Sequence, residues 1–137
     1  MTDKFEAISK LVSEHPNAFR LFGDHKSSDH FELLLLSSHM DVREEDGCWI
    51  IIEKLSPSVG SVHWFCPDGV RIGAVRKMIR WLFSDGYQVL TGTTPPEVPA
   101  AKQARVLNRA IGARKIGDSY VLTLHRFMDY NSKRKSY

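Results

Sequence analysis

Two glycines four residues apart, Gly69 and Gly73, stand in the run Pro67-Asp68-Gly69-Val70-Arg71-Ile72-Gly73. There an apolar, strand-like stretch hands over to an amphipathic one. Small residues at a helix start let a ligand approach the main chain, and the unpaired amides of the first turn favour an anion. The chemistry this pattern suggests is phosphate binding by backbone N–H groups. Other reactive side chains are sparser. His25 and His30 lie in a polar loop over residues 24–30, but no Cys or third His stands at a usual ligand spacing, which argues against a metal site. Cys48 and Cys66 sit singly in apolar runs without a CxxC neighbour, the setting of two buried free thiols rather than of zinc.

The elements that must position these groups follow from periodicity and punctuation. Phe5, Ile8, Leu11 and Val12 recur at helical spacing, so the chain opens with a helix of about three turns, its first turn served by Asp3. His15-Pro16 ends it, and a second short helix follows with Ala18, Phe19, Leu21 and Phe22 inward and Gly23 at its close. Residues 31–36, FELLLL, fit a helix or a buried strand equally, and an acidic turn occupies residues 43–47. From Gly47 the period changes to strands: residues 48–53 and 61–66 form an antiparallel pair across the Ser56-Pro57-Ser58-Val59-Gly60 turn.

After the glycine turn, Ile72, Val75, Ile79, Leu82 and Phe83 mark the inner stripe of a helix that ends at Asp85-Gly86. Arg71, Arg76, Lys77 and Arg80 fall largely off that stripe, as a solvated basic face. A strand over residues 87–92 comes next, parallel to the strand that precedes the turn because a whole helix intervenes. Thr94-Pro95-Pro96-Glu97 is a helix-start signature, with Ala100, Ala104, Leu107 and Ile111 on the inner side and Gly112 at the stop. Arg114-Lys115-Ile116 leads into a Gly117-Asp118 turn, and residues 120–127 read as a closing strand of alternating character, followed by a basic tail at Lys133-Arg134-Lys135 that is either frayed or an electrostatic arm for nucleic acid or another acidic partner. Residues 1–137 thus read as one domain of the α+β (mixed α/β) class: a central, mostly antiparallel, twisted sheet with one parallel β-α-β crossover and flanking helices.

The order strand-strand-helix-strand-helix-strand-strand over residues 47–127 resembles the acyl-CoA N-acyltransferase (GNAT) superfamily. The segment Gly92-Thr93-Thr94-Pro95, the helix with Ala101, Ala104 and Asn108, and the closing Ile111-Gly112-Ala113 carry the likeness. The resemblance implies that the glycine turn holds the pyrophosphate of coenzyme A, with a pattern that falls on Val70, Arg71, Gly73, Ala74 and Val75. Gly73 keeps the family's glycine; Val70 and Val75 depart from it, and Arg71 can reach a phosphate directly. The resemblance further implies transfer of an acetyl group from acetyl-CoA to an amine acceptor by direct attack. His63 is the first candidate for the base and Glu53 the second, while an ordinary hydrogen-bonded strand histidine is the structural alternative for His63. The family's tyrosine acid is replaced by Asn108, and Tyr120 is a second position for an acid or a packing residue. The chain also resembles small phage-encoded proteins of this fold, including internal virion proteins, which implies virion partners and an assembly role without catalysis.

No apolar run approaches the roughly 20 residues that a membrane span needs, and the N-terminus has no secretory core, so the reading is cytoplasmic, or virion if phage-encoded. The net charge of +3 is mild, which argues against a nucleic-acid partner. Neither the residues nor the resemblance calls for a metal.

Overall fold

In a computed structural model of the chain, residues 3–21, 27–93 and 98–135 are described. The elements run α1 (Lys4–Glu14), a 3-10 turn (Ala18–Leu21), α2 (Ser28–Leu35), β1 (Met40–Glu45), β2 (Cys48–Lys54), β3 (Val59–Phe65), α3 (Ile72–Ser84), β4 (Val89–Thr93), α4 (Val98–Ile111), β5 (Arg114–Ile116), β6 (Ser119–Thr123) and α5 (Leu124–Lys135). The six strands make one mixed sheet in the order β1-β2-β3-β4-β6-β5, with β3 and β4 its one parallel pair.

Local chemistry explains the starts and turns. Asp3 caps α1 by accepting from the Glu6 amide at 2.8 Å, and Ser27 caps α2 by accepting from the His30 amide at 3.2 Å. That second cap decides the open choice for FELLLL in favour of a helix, with Phe31 and Leu35 inward. It also moves the helix start back into the stretch read as a polar loop. The acidic segment is a correction of another kind. Residues 43–45 belong to β1, and the turn is only Asp46-Gly47, both at positive φ (52° and 78°), as a two-residue hairpin requires. The closing strand also stops earlier than alternation suggests. It ends at Thr123, and residues 124–135, tail included, are helix α5. The helix-start signature at residues 94–97, and Phe22 and Gly23, lie outside the described residues.

The sheet has a core on each face. On one, Cys48, Ile50, Ile52, Val62, Leu90 and Leu122 meet α3, α4 and α5 through Val75, Met78, Ile79, Leu82, Leu107, Ile111 and Phe127. On the other, Met40, Val42, Trp49 and Ile51 meet α1 and α2 through Ala7, Ile8, Leu11, Phe31 and Leu35. Alternation along each strand therefore places Glu53, Ser61 and His63 on the α1/α2 side of the sheet. Polar ties lock the N-terminal helices down: Lys4 Nζ donates to the carbonyls of Ser37 (2.9 Å) and Met40 (2.6 Å), and Trp49 Nε1 to that of Ala7 (3.1 Å). At the sheet edge, Arg43 lies 4.1 Å from the Trp81 ring centroid and donates to Asp41 at 2.7 Å, pinning β1 to α3.

Gly60 sits where β3 starts its parallel pairing. A Cβ there would lie 2.7 Å from Ile52 Cγ2 and 2.9 Å from the Tyr87 ring, so the core beneath this point accepts only glycine without shifting. The ring that fills the space belongs to Tyr87, whose hydroxyl has no hydrogen-bond partner among the described residues and whose pKa burial pushes up to about 12.

Candidate functional site

The parallel register of β3 and β4 covers three pairs, Val59 with Val89, Gly60 with Leu90 and Ser61 with Thr91, and then stops. Both strands continue, β3 to Phe65 on β2 and β4 to Thr93 on β6. Gly92 still approaches β3, since a Cβ there would lie 3.4 Å from the Val62 carbonyl oxygen. Beyond it, residues 63–65 have main-chain groups on the β4 side that the sheet ladder does not use. His63 is the first residue of this stretch.

The same strand runs on into the glycine turn. Cys48 Sγ donates to the Gly69 carbonyl at 3.7 Å, and Gly69 N–H donates to the Cys66 carbonyl at 3.1 Å, which hold the turn against the ends of β2 and β3. Gly69 has φ 101°, a conformation that side-chain-bearing residues rarely adopt. Arg71 is the N-cap residue of α3 but makes no side-chain cap bond, and no acidic residue lies in the first turn. The N–H groups ahead of Val75 are therefore left without intrahelical acceptors by helix geometry, while Val75 N–H already donates to the Arg71 carbonyl at 3.0 Å. The side chains sort the same way: Val75 and Ala74 are buried, Val70 is half-buried against the core, and Arg71 and Gly73 are exposed. Of the five residues expected to face a cofactor, Arg71 can offer its guanidinium, and Gly73 and Ala74 their amides. Val75 is committed to the helix. Arg71 Nε lies 3.6 Å from Asp46, both well exposed, so this ion pair holds the arginine only loosely.

Gly73 differs from the other described glycines. Its φ is not positive, and a Cβ built on it meets nothing within 4 Å. Neither backbone conformation nor packing asks for glycine at this position.

His63 and Glu53 come together diagonally across β2 and β3, on the same face: Glu53 is registered with Ser61 and His63 with Ile51. His63 is exposed at the sheet surface, yet partial desolvation of its ring lowers its pKa below the ordinary 6.5, and the Glu53 carboxylate opposes this in part. At neutral pH the imidazole is uncharged and able to accept a proton. Because the folded value lies below the unfolded one, the associated stability is present above pH 6.5 and lost as pH falls from 6.5 through the folded pKa. NMR titration of the ring should give a value under 6.5, and His63→Gln should remove that part of the pH dependence of unfolding. A ring that titrates at or above 6.5 overturns this reading of its surroundings.

The remaining sequence candidates lie apart from this group. Asn108 on α4 is half-buried, and its Nδ2 donates to the Ala104 carbonyl at 2.7 Å within its own helix. Tyr120 is buried on β6, opposite Gly92. Cys48 and Cys66 are both free and buried, and burial, with Cys48 beside it, pushes the Cys66 thiol up from its ordinary value. Among the described residues no cluster of three His, Cys, Asp or Glu could hold a metal ion, and no helix is long and apolar enough to cross a membrane. His25 lies outside the described residues. Comparison with protein-family models, with curated proteins and with solved structures finds no match to this chain.

Proposed function

We propose that the chain is a GNAT-like N-acyltransferase that binds acetyl-CoA across the β3/β4 opening and passes its acetyl group to an amine. The observation that carries this reading is Gly73, a glycine required by neither φ nor packing, on the first turn of a helix whose leading amides are unpaired and free of acidic side chains. A ligand that approaches the main chain gives such a residue a reason to be glycine. The strand order and the one parallel pair that separates after three residues are also what the family resemblance implies.

Bound there, acetyl-CoA would supply an activated thioester carbonyl. The Gly73 and Ala74 amides and Arg71 would hold its phosphates. Main-chain groups of residues 63–65, beyond the last β3/β4 pair, would orient the pantetheine arm as a strand-like partner, which positions the carbonyl near β3. His63, uncharged at neutral pH, would take the proton of the attacking amine on an imidazole nitrogen, with Glu53 on the neighbouring strand favouring the charge so formed; the amide C–N bond forms as the thioester C–S bond breaks, and coenzyme A leaves as its thiolate, which solvent protonates. A second reading, an assembly or binding module of the virion type without catalysis, is favoured by Asn108, because its amide is tied to Ala104 and is no proton donor for a departing thiolate.

Thermal unfolding with acetyl-CoA separates the two readings. Wild type should gain about 2.7 kcal/mol at a ligand concentration 100 times Kd. Gly73→Glu should abolish the gain, since the new carboxylate places bulk and like charge where the phosphates sit. The substitution meets open space, and an acidic side chain suits a helix start, so the variant should fold normally. A flat response of the wild type to millimolar acetyl-CoA sinks the acyltransferase reading and leaves the assembly role.

A further inference from the structure

The net charge of +3 hides a division along the chain. Residues 1–97 hold ten Lys and Arg against fourteen Asp and Glu, whereas residues 98–137 hold nine against two. The basic part is α4, β5, β6 and α5, and these elements lie together at one end of the sheet. β6 pairs with the edge strand β5, α5 packs on β6, and α4 packs on α5.

The two basic regions of the molecule differ in what their charges do. Those of α3 and its N-cap are largely engaged: Lys77 Nζ binds Glu45 at 3.1 Å, Arg71 meets Asp46 at 3.6 Å, and Arg76 donates to the Ala110 carbonyl at 3.0 Å. The acidic β1–β2 hairpin neutralises that face. At the other end, Lys102, Arg105, Arg109, Arg114, Lys115 and Arg126 are all exposed, and none forms an ion pair with another described residue. Lys102, Arg105 and Arg109 recur at i, i+3 and i+7, one stripe opposite the buried Leu107 and Ile111. Arg126 is anchored through Nε to the Gly112 carbonyl at 2.6 Å, which sets it at the corner between α4 and β5.

We infer that this α4–β5–α5 end is a binding surface for the phosphodiester backbone of duplex nucleic acid, read without regard to sequence. Unpaired, mostly arginine charge on a helix stripe and the adjoining edge strand is complementary to a regular lattice of phosphates. The choice of duplex over single strand rests on what the surface lacks. Among the described residues of these elements no Phe, Trp or Tyr is exposed; the exposed large apolar side chains are Val106, Ile116 and Met128. Among the described residues, bases of a single strand would find no exposed aromatic side chain to stack on. The inference rests on the charges of α4, β5 and α5 and not on Gly73, so it does not depend on acetyl-CoA binding.

The test is fluorescence anisotropy of a labelled 20-base-pair duplex of arbitrary sequence, titrated with the full chain from 50 to 200 mM KCl. With about five phosphates engaged, affinity should fall by on the order of 10²–10³-fold over that range. K102Q/R105Q/R109Q/K115Q should weaken binding at 50 mM by at least about tenfold and flatten the salt dependence, while K77Q/R80Q on α3 should leave both unchanged. The salt dependence of the unaltered chain reads the same surface, so a misfolded variant does not leave the matter open. No binding at 50 mM salt, or binding whose affinity ignores salt or the quadruple substitution, overturns the inference. So does equal or tighter binding of a single strand of the same length, of poly-glutamate, or of phosphatidylserine vesicles.

Discussion

Trp49→Ala should lower the free energy of unfolding by about 3–5 kcal/mol, against the 5–15 kcal/mol that domains generally have. The indole is 2% exposed and joins three elements on the α1/α2 face of the sheet. Its Nε1 donates to the Ala7 carbonyl at 3.1 Å, the His15 ring stands edge-on with centroids 5.3 Å apart, and Phe65 of β3 lies 5.9 Å away. Truncation removes the ring's transfer free energy, leaves a cavity under α1 and removes the second donor that the indole offers the Ala7 carbonyl. Urea unfolding followed by circular dichroism should show a lower midpoint with an unchanged slope. Trp49→Phe should recover most of the loss and fall short by about 1 kcal/mol for the missing hydrogen bond. A shift below about 1 kcal/mol for the alanine variant would mean that α1 is not seated on this ring.

Phe127→Ala should cost a similar amount, about 3–5 kcal/mol, at the opposite end of the molecule. Phe127 is fully buried and lies 5.5 Å from the ring of Phe83, among side chains of α3, α4 and the sheet. The prediction distinguishes two backbones. If residues 120–127 continued as one strand, Tyr120, Leu122, Leu124 and Arg126 would share the core face, and Phe127 would stand on the other. In α5 the turn of the helix brings Phe127 inward and Arg126 out to Gly112. A helix therefore makes Phe127→Ala severe and Leu124→Ala milder, since Leu124 is only half-buried. The reverse order would restore the strand.

Much of the sheet was legible because its signals are local. Cys48 to Ile52 is apolar on both faces, as suits a strand covered on each side, and the amphipathic period of residues 72–83 marks α3 without ambiguity. The phosphate-loop candidate was legible by glycine content and position. Its most informative property was not: that Gly73 lies in open space with an ordinary φ depends on which atoms surround it. β1 escaped notice because it is a charged edge strand. Asp41 and Glu44 are buried and paired, Asp41 with Arg43, and Glu44 with Lys10 and the Gly47 amide. Asp46-Gly47 was the available signal, a dipeptide whose two positive φ values define the hairpin.

By itself the sequence determined the alternation of strands and helices from β2 to β6, the glycine hand-over into α3, the two free thiols and the total charge. These follow from periodicity, special backbone residues and composition, which act over a few neighbours. Only the tertiary structure decided that β3 and β4 part after three pairs, that His63 and Glu53 share a face, and that residues 124–135 form a helix that seats Phe127 in the core. It also decided that Lys77 of α3 meets Glu45 while Lys102, Arg105, Arg109, Arg114, Lys115 and Arg126 pair with no acidic side chain among the described residues. Each of these depends on contacts between segments far apart in the chain, where burial and charge pairing are settled by what packs opposite rather than by what stands beside.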